Sequence, residues 1–232
     1  MSTTASERLN EKIGLAYPAL RASGERIWSS PQIRELYPVY LSTLHMIVRS
    51  AAPLLESAAA RCRALAPHDP VAAALAPYFE HHAPEERGHD EWLLEDLEAL
   101  GGDPHEPWRR IPSTRVATLV GAQYYWLLHH HPVALLGHMA VIEGNPPQVG
   151  FADRLQALTG YPPDAFRAIS RHERLDIRHR RELYEAIDAL DLSAEHEAVM
   201  GLSALHTVLA AIDLMAEIRA AVPALHATVA VR

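Results

Sequence analysis

Between Ile33 and Val48 the apolar side chains recur as Ile33, Leu36, Tyr37, Tyr40, Leu41, Leu44, Ile47 and Val48. This is the i, i+3, i+4, i+7 spacing of one helix face. Nearly every other segment carries the same period, and the alternating, β-branched runs that make strands are missing. Such a chain buries its apolar residues by packing helix on helix. The expected fold class is therefore all-α. The 232 residues suffice for one domain, 1–232, with a substantial core.

Breakers and caps divide the pattern. Ser6 is placed to cap a first helix running towards Leu20, and Ser30-Pro31 to open a second, with kinks expected at Pro38 and Pro53. Asp69-Pro70 restarts a helix that meets Pro84, continues to Leu100 and stops at Gly101-Gly102. A further helix is expected from Val116 to about Glu143, interrupted by Pro132, and another from Val149 to Leu158. After Thr159 to Pro163 a helix extends to Leu190, and Ser193 begins the last, which is expected to end before Pro223.

Composition excludes several function classes. Lys+Arg 21 against Asp+Glu 29 gives a net charge of −8, with no basic block, which argues against nucleic acid and anionic membrane as partners. No apolar run reads as long enough to span a bilayer, and the start, Met1 to Arg8, lacks the apolar core of a signal peptide. The single cysteine, Cys62, excludes an internal disulfide and a thiolate metal cluster. A cytoplasmic protein is the expectation.

The 15 histidines carry the functional signal. In Arg171-His172-Glu173-Arg174-Leu175-Asp176-Ile177-Arg178-His179, the residues His172, Asp176 and His179 stand at i, i+4 and i+7. At ~100° per residue they fall within roughly 60° of one another, so two imidazoles and a carboxylate point one way. His82 and His89, also seven apart, share a face in the helix before Gly101, with Glu86 on it; the polar density of His81, His82, Glu85 and Glu86 also fits a solvated surface. Glu143 ends the apolar run Val133 to Ile142, where a carboxylate is costly unless paired or bound to metal. Joined, the candidate ligands are His82, His89, Glu143, His172, Asp176 and His179, from three helices. These nitrogen and oxygen donors suit Fe or Mn, with Zn a further option. A closed structural zinc site needs only four ligands, whereas six serve two cations and leave positions open for O₂ and a small-molecule substrate. A ferritin-like bundle needs Glu-x-x-His twice. Glu86-x-x-His89 supplies one, but Pro146 stands where the second His belongs.

Three phrases in this order resemble the heme-oxygenase-like dimetal oxidases, or iron-containing redox enzymes. They are Glu85-Glu86-Arg87-Gly88-His89-Asp90-Glu91-Trp92-Leu93-Leu94, His131-Pro132 through Glu143-Gly144, and His172-x-x-x-Asp176-x-x-His179. The resemblance implies a heme-oxygenase-like bundle of about seven helices, without heme, holding two Fe per chain with Mn as the alternative. His89, Glu143, His172, Asp176 and His179 match the family's ligand positions. His82 departs from it, standing where the pattern has Glu; either His82 ligates there or Glu86, one turn on, takes its place. The implied chemistry is O₂-dependent oxidation of an amino acid, amine or fatty acid by N-oxygenation, desaturation, decarboxylation or C–C cleavage, with the electron donor unassigned. A homodimer is compatible with a compact α domain.

Two other readings compete: a heme protein with His45 as proximal ligand, and a helical binding protein without metal. Tyr40, His45, Tyr124, Tyr125 and Met139 are candidates for lining a pocket, and Arg49, Arg171, Arg174 or Arg178 for holding a substrate carboxylate.

Overall fold

A computed structural model describes residues 3–229, with side chains described to residue 222. Helices make up almost all of the regular structure among these residues. They are α1 (Ala5–Trp28), α2 (Ile33–Val48), α3 (Ala51–Leu65), α4 (Pro70–Glu85), α5 (His89–Ala99), α6 (Glu106–Arg109), α7 (Thr114–His129), α8 (Ala134–Ile142), α9 (Phe151–Thr159), α10 (Arg167–Asp188) and α11 (Ala194–Val229). Eleven α-helices are thus present among the described residues, where the resemblance implied about seven; short breaks such as those between α2 and α3 and between α4 and α5 divide the longer rods.

Local chemistry sets the ends. Thr4, rather than Ser6, caps α1: its hydroxyl accepts the Glu7 N–H while the Glu7 carboxylate accepts the Thr4 N–H, a reciprocal capping box. With that start, α1 continues past Pro18 to Trp28, beyond the expected end near Leu20. Ser30 and Pro31 form a turn, so α2 begins at Ile33. Asp69 caps α4 by accepting the Ala72 N–H at 2.9 Å. The expected helix from Pro70 to Leu100 is two helices, because Gly88 takes φ 82°, a left-handed conformation that ends α4 and re-aims α5. The last helix runs through position 223 instead of stopping before it; a proline removes one hydrogen bond, and α1, α2 and α4 also carry prolines inside.

The rods pack as neighbours: α3 along α4, α2 along α5, and both α1 and α8 along α11. Two apolar clusters result. One gathers Leu9, Leu54, Phe79, Leu136, Leu183 and Met200, the other Leu36, Tyr37, Leu93, Leu155, Phe166 and Leu214. Helix α10 reaches both, with Ala168 and Ile169 in the second and Leu183 and Ile187 in the first. The turns between them carry His172, Asp176 and His179, so polar side chains sit where the two cores meet. Contrary to the sequence reading, one helix, α11, is long and apolar enough to cross a membrane; 56% of the qualifying window is buried inside the bundle, as in a core helix.

Gly137 lets α8 touch α11 backbone to backbone. A Cβ there would overlap the Met200 carbonyl and come within 3.0 Å of the Ala204 nitrogen. Neither backbone can yield without moving a whole helix. Gly137→Ala is expected to destabilise the protein by about 3 kcal/mol, read as a lower midpoint in urea; an unchanged midpoint would show that the two helices separate freely.

Candidate metal centre

Four helices bring the site together. Helix α4 ends in His82 and Glu86, α5 opens with His89, α8 ends at Glu143, and α10 contributes His172, Asp176 and His179. Because α4 stops one turn after His82, Glu86 lies at the corner between α4 and α5, its backbone N–H still bonded to the His82 carbonyl. Glu143 closes α8 in the same way, its N–H on the Met139 carbonyl at 2.8 Å.

At one end of the site His82, Glu86, Glu143 and His179 converge, one ligand atom of each lying within 4.8 Å of the others. His82 Nε2 is 3.1 Å from Glu143 Oε2 and 3.8 Å from Glu86 Oε1. His179 Nδ1 is 3.6 Å from Glu86, 3.7 Å from Glu143 and 4.0 Å from Asp176. At the other end, His89 Nδ1 lies 3.2 Å from the second oxygen of Glu86, and the His89 and His172 rings meet edge-on, centroids 5.1 Å apart. All six residues named from the sequence are thus in one neighbourhood. Glu86 stands between the two ends, one oxygen facing each, with His82 beside it at 3.8 Å. Glu86 is only 9% exposed and His82 is buried, which overturns the solvated-surface reading for these two, while His81 is exposed and Glu85 half-buried. The signal for Glu86 was the Glu86-x-x-His89 spacing.

The site is buried, and several of its polar atoms lack partners. His82 Nδ1, His89 Nδ1, Asp176 Oδ1, His179 Nδ1 and Glu85 Oε2 make no hydrogen bond, whereas His82 Nε2 is bonded to Glu143 at 3.1 Å. Buried polar atoms are nearly always satisfied, so such a group needs a ligand to explain it. Burial pushes the Glu143 carboxyl up, partly offset by His82. Burial, with Glu143 and Glu86 beside it, raises Asp176 to about 8. Burial opposes ionisation of Glu86, but the His89 imidazole 3.2 Å away and the other imidazoles nearby hold it below the usual carboxylate range. Burial pulls His82 down and its carboxylates outweigh this, raising it; His179 is lowered to about 4 by burial and by His82. The nearest arginine, Arg178, is taken by Glu85 at 2.8 Å. Among the described residues, imidazoles and no free arginine or lysine therefore face the three carboxylates.

The second nitrogen of His172 has a partner that the sequence could not name. Its Nδ1 donates to the Ala168 carbonyl at 2.7 Å, leaving Nε2 with its lone pair free to ligate. Tyr78 was also missed: it stacks on His82 at 5.7 Å with its buried hydroxyl unpartnered.

A cavity of about 240 Å³ adjoins the site, with Glu86, Glu143, His172 and Asp176 on its wall. Tyr40 and Met139 line it as expected, together with leucines such as Leu44, Leu54, Leu93 and Leu135. Tyr125 does not; it is 61% exposed. Tyr124 packs against the first apolar cluster instead, and His45 is sealed against Trp108 and Asp90 outside the cavity lining. No arginine lines the cavity: Arg49 lies over Trp108, Arg171 over Trp92, and Arg174 is exposed.

Residues 40–222, which include every candidate ligand, match the family described as iron-containing redox enzyme. The chain belongs to that family. No curated protein matches the sequence. Among solved structures, this iron-containing redox enzyme family member is similar to a domain of unknown function with a heme oxygenase-like fold from Shewanella denitrificans OS217. That likeness has a TM-score of 0.81 at 16% identity and covers 94% of each chain. A TenA homolog from Pseudomonas syringae pv. tomato strain DC3000 is similar at TM-score 0.67 and 12% identity, over 94% of this chain and 93% of that one. At these identities the two likenesses establish the fold alone: an all-α, heme oxygenase-like bundle.

Nitrogen and oxygen donors without thiolate, three of them anionic, fit iron. Cys62 is buried among the apolar residues of the first cluster, where burial pushes its thiol up to about 12.

Proposed function

We propose that the protein is an O₂-dependent oxidoreductase with two irons per chain, acting on a small, largely apolar substrate. One iron would be held by His82, Glu86, Glu143 and His179, the other by Glu86, His89, His172 and Asp176, with Glu86 shared. The observation that carries this reading is that His89 Nδ1, Asp176 Oδ1 and His179 Nδ1 are buried without hydrogen-bond partners around Glu86 and Glu143, beside a cavity. Bound ferrous ions supply electrons and open coordination positions to O₂ beside the substrate.

The remaining work falls to the chain. Glu86, Glu143 and Asp176 contribute three negative charges that offset two divalent cations. The Ala168 carbonyl holds the His172 ring in the ligating tautomer. The leucines of the cavity wall exclude water and orient an apolar substrate against the carboxylate end. With no arginine in the lining, a substrate held by an arginine–carboxylate clamp is disfavoured.

Anaerobic loading with Fe(II), followed by metal analysis and O₂ exposure with a panel of fatty acids, amines and amino acids, tests the proposal. Retention of two irons and substrate-dependent O₂ uptake are the expected results. Loading should also raise hydrogen-exchange protection over residues 171–182, since the helix that carries three ligands gains its partners from the metal. A protein that retains no iron, with equal protection in both states, would leave the proposal without support.

A further inference from the structure

Helix α10 has a second pattern, independent of its ligands. Arg167, Arg171, Arg174, Arg178 and Arg181 follow one another at spacings of four, three, four and three, which places them in one stripe along the helix. Arg180 stands beside it. The only acidic residues between Arg167 and Arg181 are turned inward. Glu173 accepts the N–H groups of Gly150 and Ala152, and Asp176 belongs to the candidate centre. Neighbouring carboxylates answer three of the five. Arg167 meets Asp164 at 3.0 Å and Glu95 at 3.9 Å, Arg178 meets Glu85, and Arg181 meets Glu185 at 3.8 Å and Glu182 at 3.9 Å. Arg171 and Arg174, in the middle, have no carboxylate within 4 Å among the described residues. Ile177, 56% exposed, lies at the edge of the stripe. On a chain of net charge −8, the neighbouring arginines Arg171 and Arg174 are cations that no carboxylate offsets.

One residue of the stripe reaches the centre through a single side chain. The Arg171 guanidinium covers the Trp92 ring at 4.4 Å. The same indole stacks on His89 at 4.1 Å and meets His172 at 5.8 Å. One aromatic ring thus spans from the arginine surface to two candidate ligands.

The geometry points to this face as the docking site of a protein with an acidic surface that carries a one-electron donor, electrons crossing at Trp92. The inference rests on the two-iron reading above, because it supplies that centre's reductant. Each encounter passes one electron from the reduced carrier to one ferric ion, oxidising the carrier and forming no bond; two encounters return both ions to the ferrous state. Positive charge around an exposed apolar residue suits a brief, electrostatically steered encounter.

The probe is a reduced plant-type [2Fe–2S] ferredoxin, which is acidic, with reduced methyl viologen as a small cationic donor that needs no docking. Binding is measured on metal-free protein, and reduction on ferric protein. For the wild type, both the affinity and the ferredoxin-driven rate should fall with ionic strength. The double variant R171E/R174E should lose about tenfold or more of each, with iron content and the methyl viologen rate maintained. Trp92→Leu should slow the ferredoxin-driven step while ferredoxin binding is kept. Binding and reduction that ignore both ionic strength and the charge reversal, on protein that holds iron, would overturn the docking face and leave the metal reading intact. Protein that binds no iron would overturn both.

Discussion

Glu86→Ala is expected to empty the whole centre, leaving almost no bound iron and lowering turnover by about a hundredfold or more. The expectation follows from its place. One Glu86 oxygen lies 3.8 Å from His82 and 3.6 Å from His179, while the other is 3.2 Å from His89. Glu143, by contrast, lies within 4 Å of His82 and His179 but of neither His89 nor His172. Removing it also leaves Glu143 and Asp176 to balance two cations alone. His82→Ala touches one end only and should release one iron of the two, so metal analysis of the two variants distinguishes a shared ligand from an end ligand. Equal iron loss in both would mean that Glu86 does not bridge. Glu86→Gln belongs in the same series, because it keeps the shape and removes the charge.

Asp176→Asn is expected to act in opposite directions with and without metal. In the metal-free protein Asp176 is 5% exposed, Oδ1 has no partner, and burial with Glu143 and Glu86 nearby raises the carboxyl to about 8. An acid whose folded value lies above its unfolded value binds its proton more tightly when folded. Its ionisation therefore subtracts nothing below about pH 4, and the penalty grows as pH rises towards 8. The amide carries no charge to bury. At pH 8 the metal-free Asn variant should be more stable by about 1–3 kcal/mol, a rise of roughly 3–10 °C in melting temperature for a chain of this size. Its advantage should vanish near pH 4. With Fe(II) present the order reverses, since the wild type gains binding energy that the amide forfeits. A metal-free variant that melts lower than the wild type at pH 8 would mean that Asp176 is satisfied in the fold, and the case for a ligand there would weaken.

Much of this site was legible before any tertiary structure, and the reason is periodicity. His172, Asp176 and His179 lie within one uninterrupted helix, so their spacing alone put them on one face. Glu143 was marked by its apolar surroundings, which the fold supplies as α8 packs against α11. Glu86 was harder to read. Its polar neighbours matched an exposed face, and only the break at Gly88, with α10 lying across the corner, turned it inward. The same break separates His82 from His89, so their seven-residue spacing on one helix was the wrong geometry for two residues that do reach one site. Tyr125 and Arg178 went the other way: period and residue type suggested a pocket, while packing left one on the surface and paired the other with Glu85.

The sequence by itself determined the all-α class, the caps such as Asp69, and the ligand face of α10, because hydrogen-bonding and side-chain period act within a few residues. Only the tertiary structure decided that Glu86 stands between two clusters, that His172 is held by Ala168, and that a leucine-lined cavity without arginine adjoins them. These depend on how rods distant in sequence cross, and that is set by backbone contacts such as Gly137 on Met200, which no local pattern encodes.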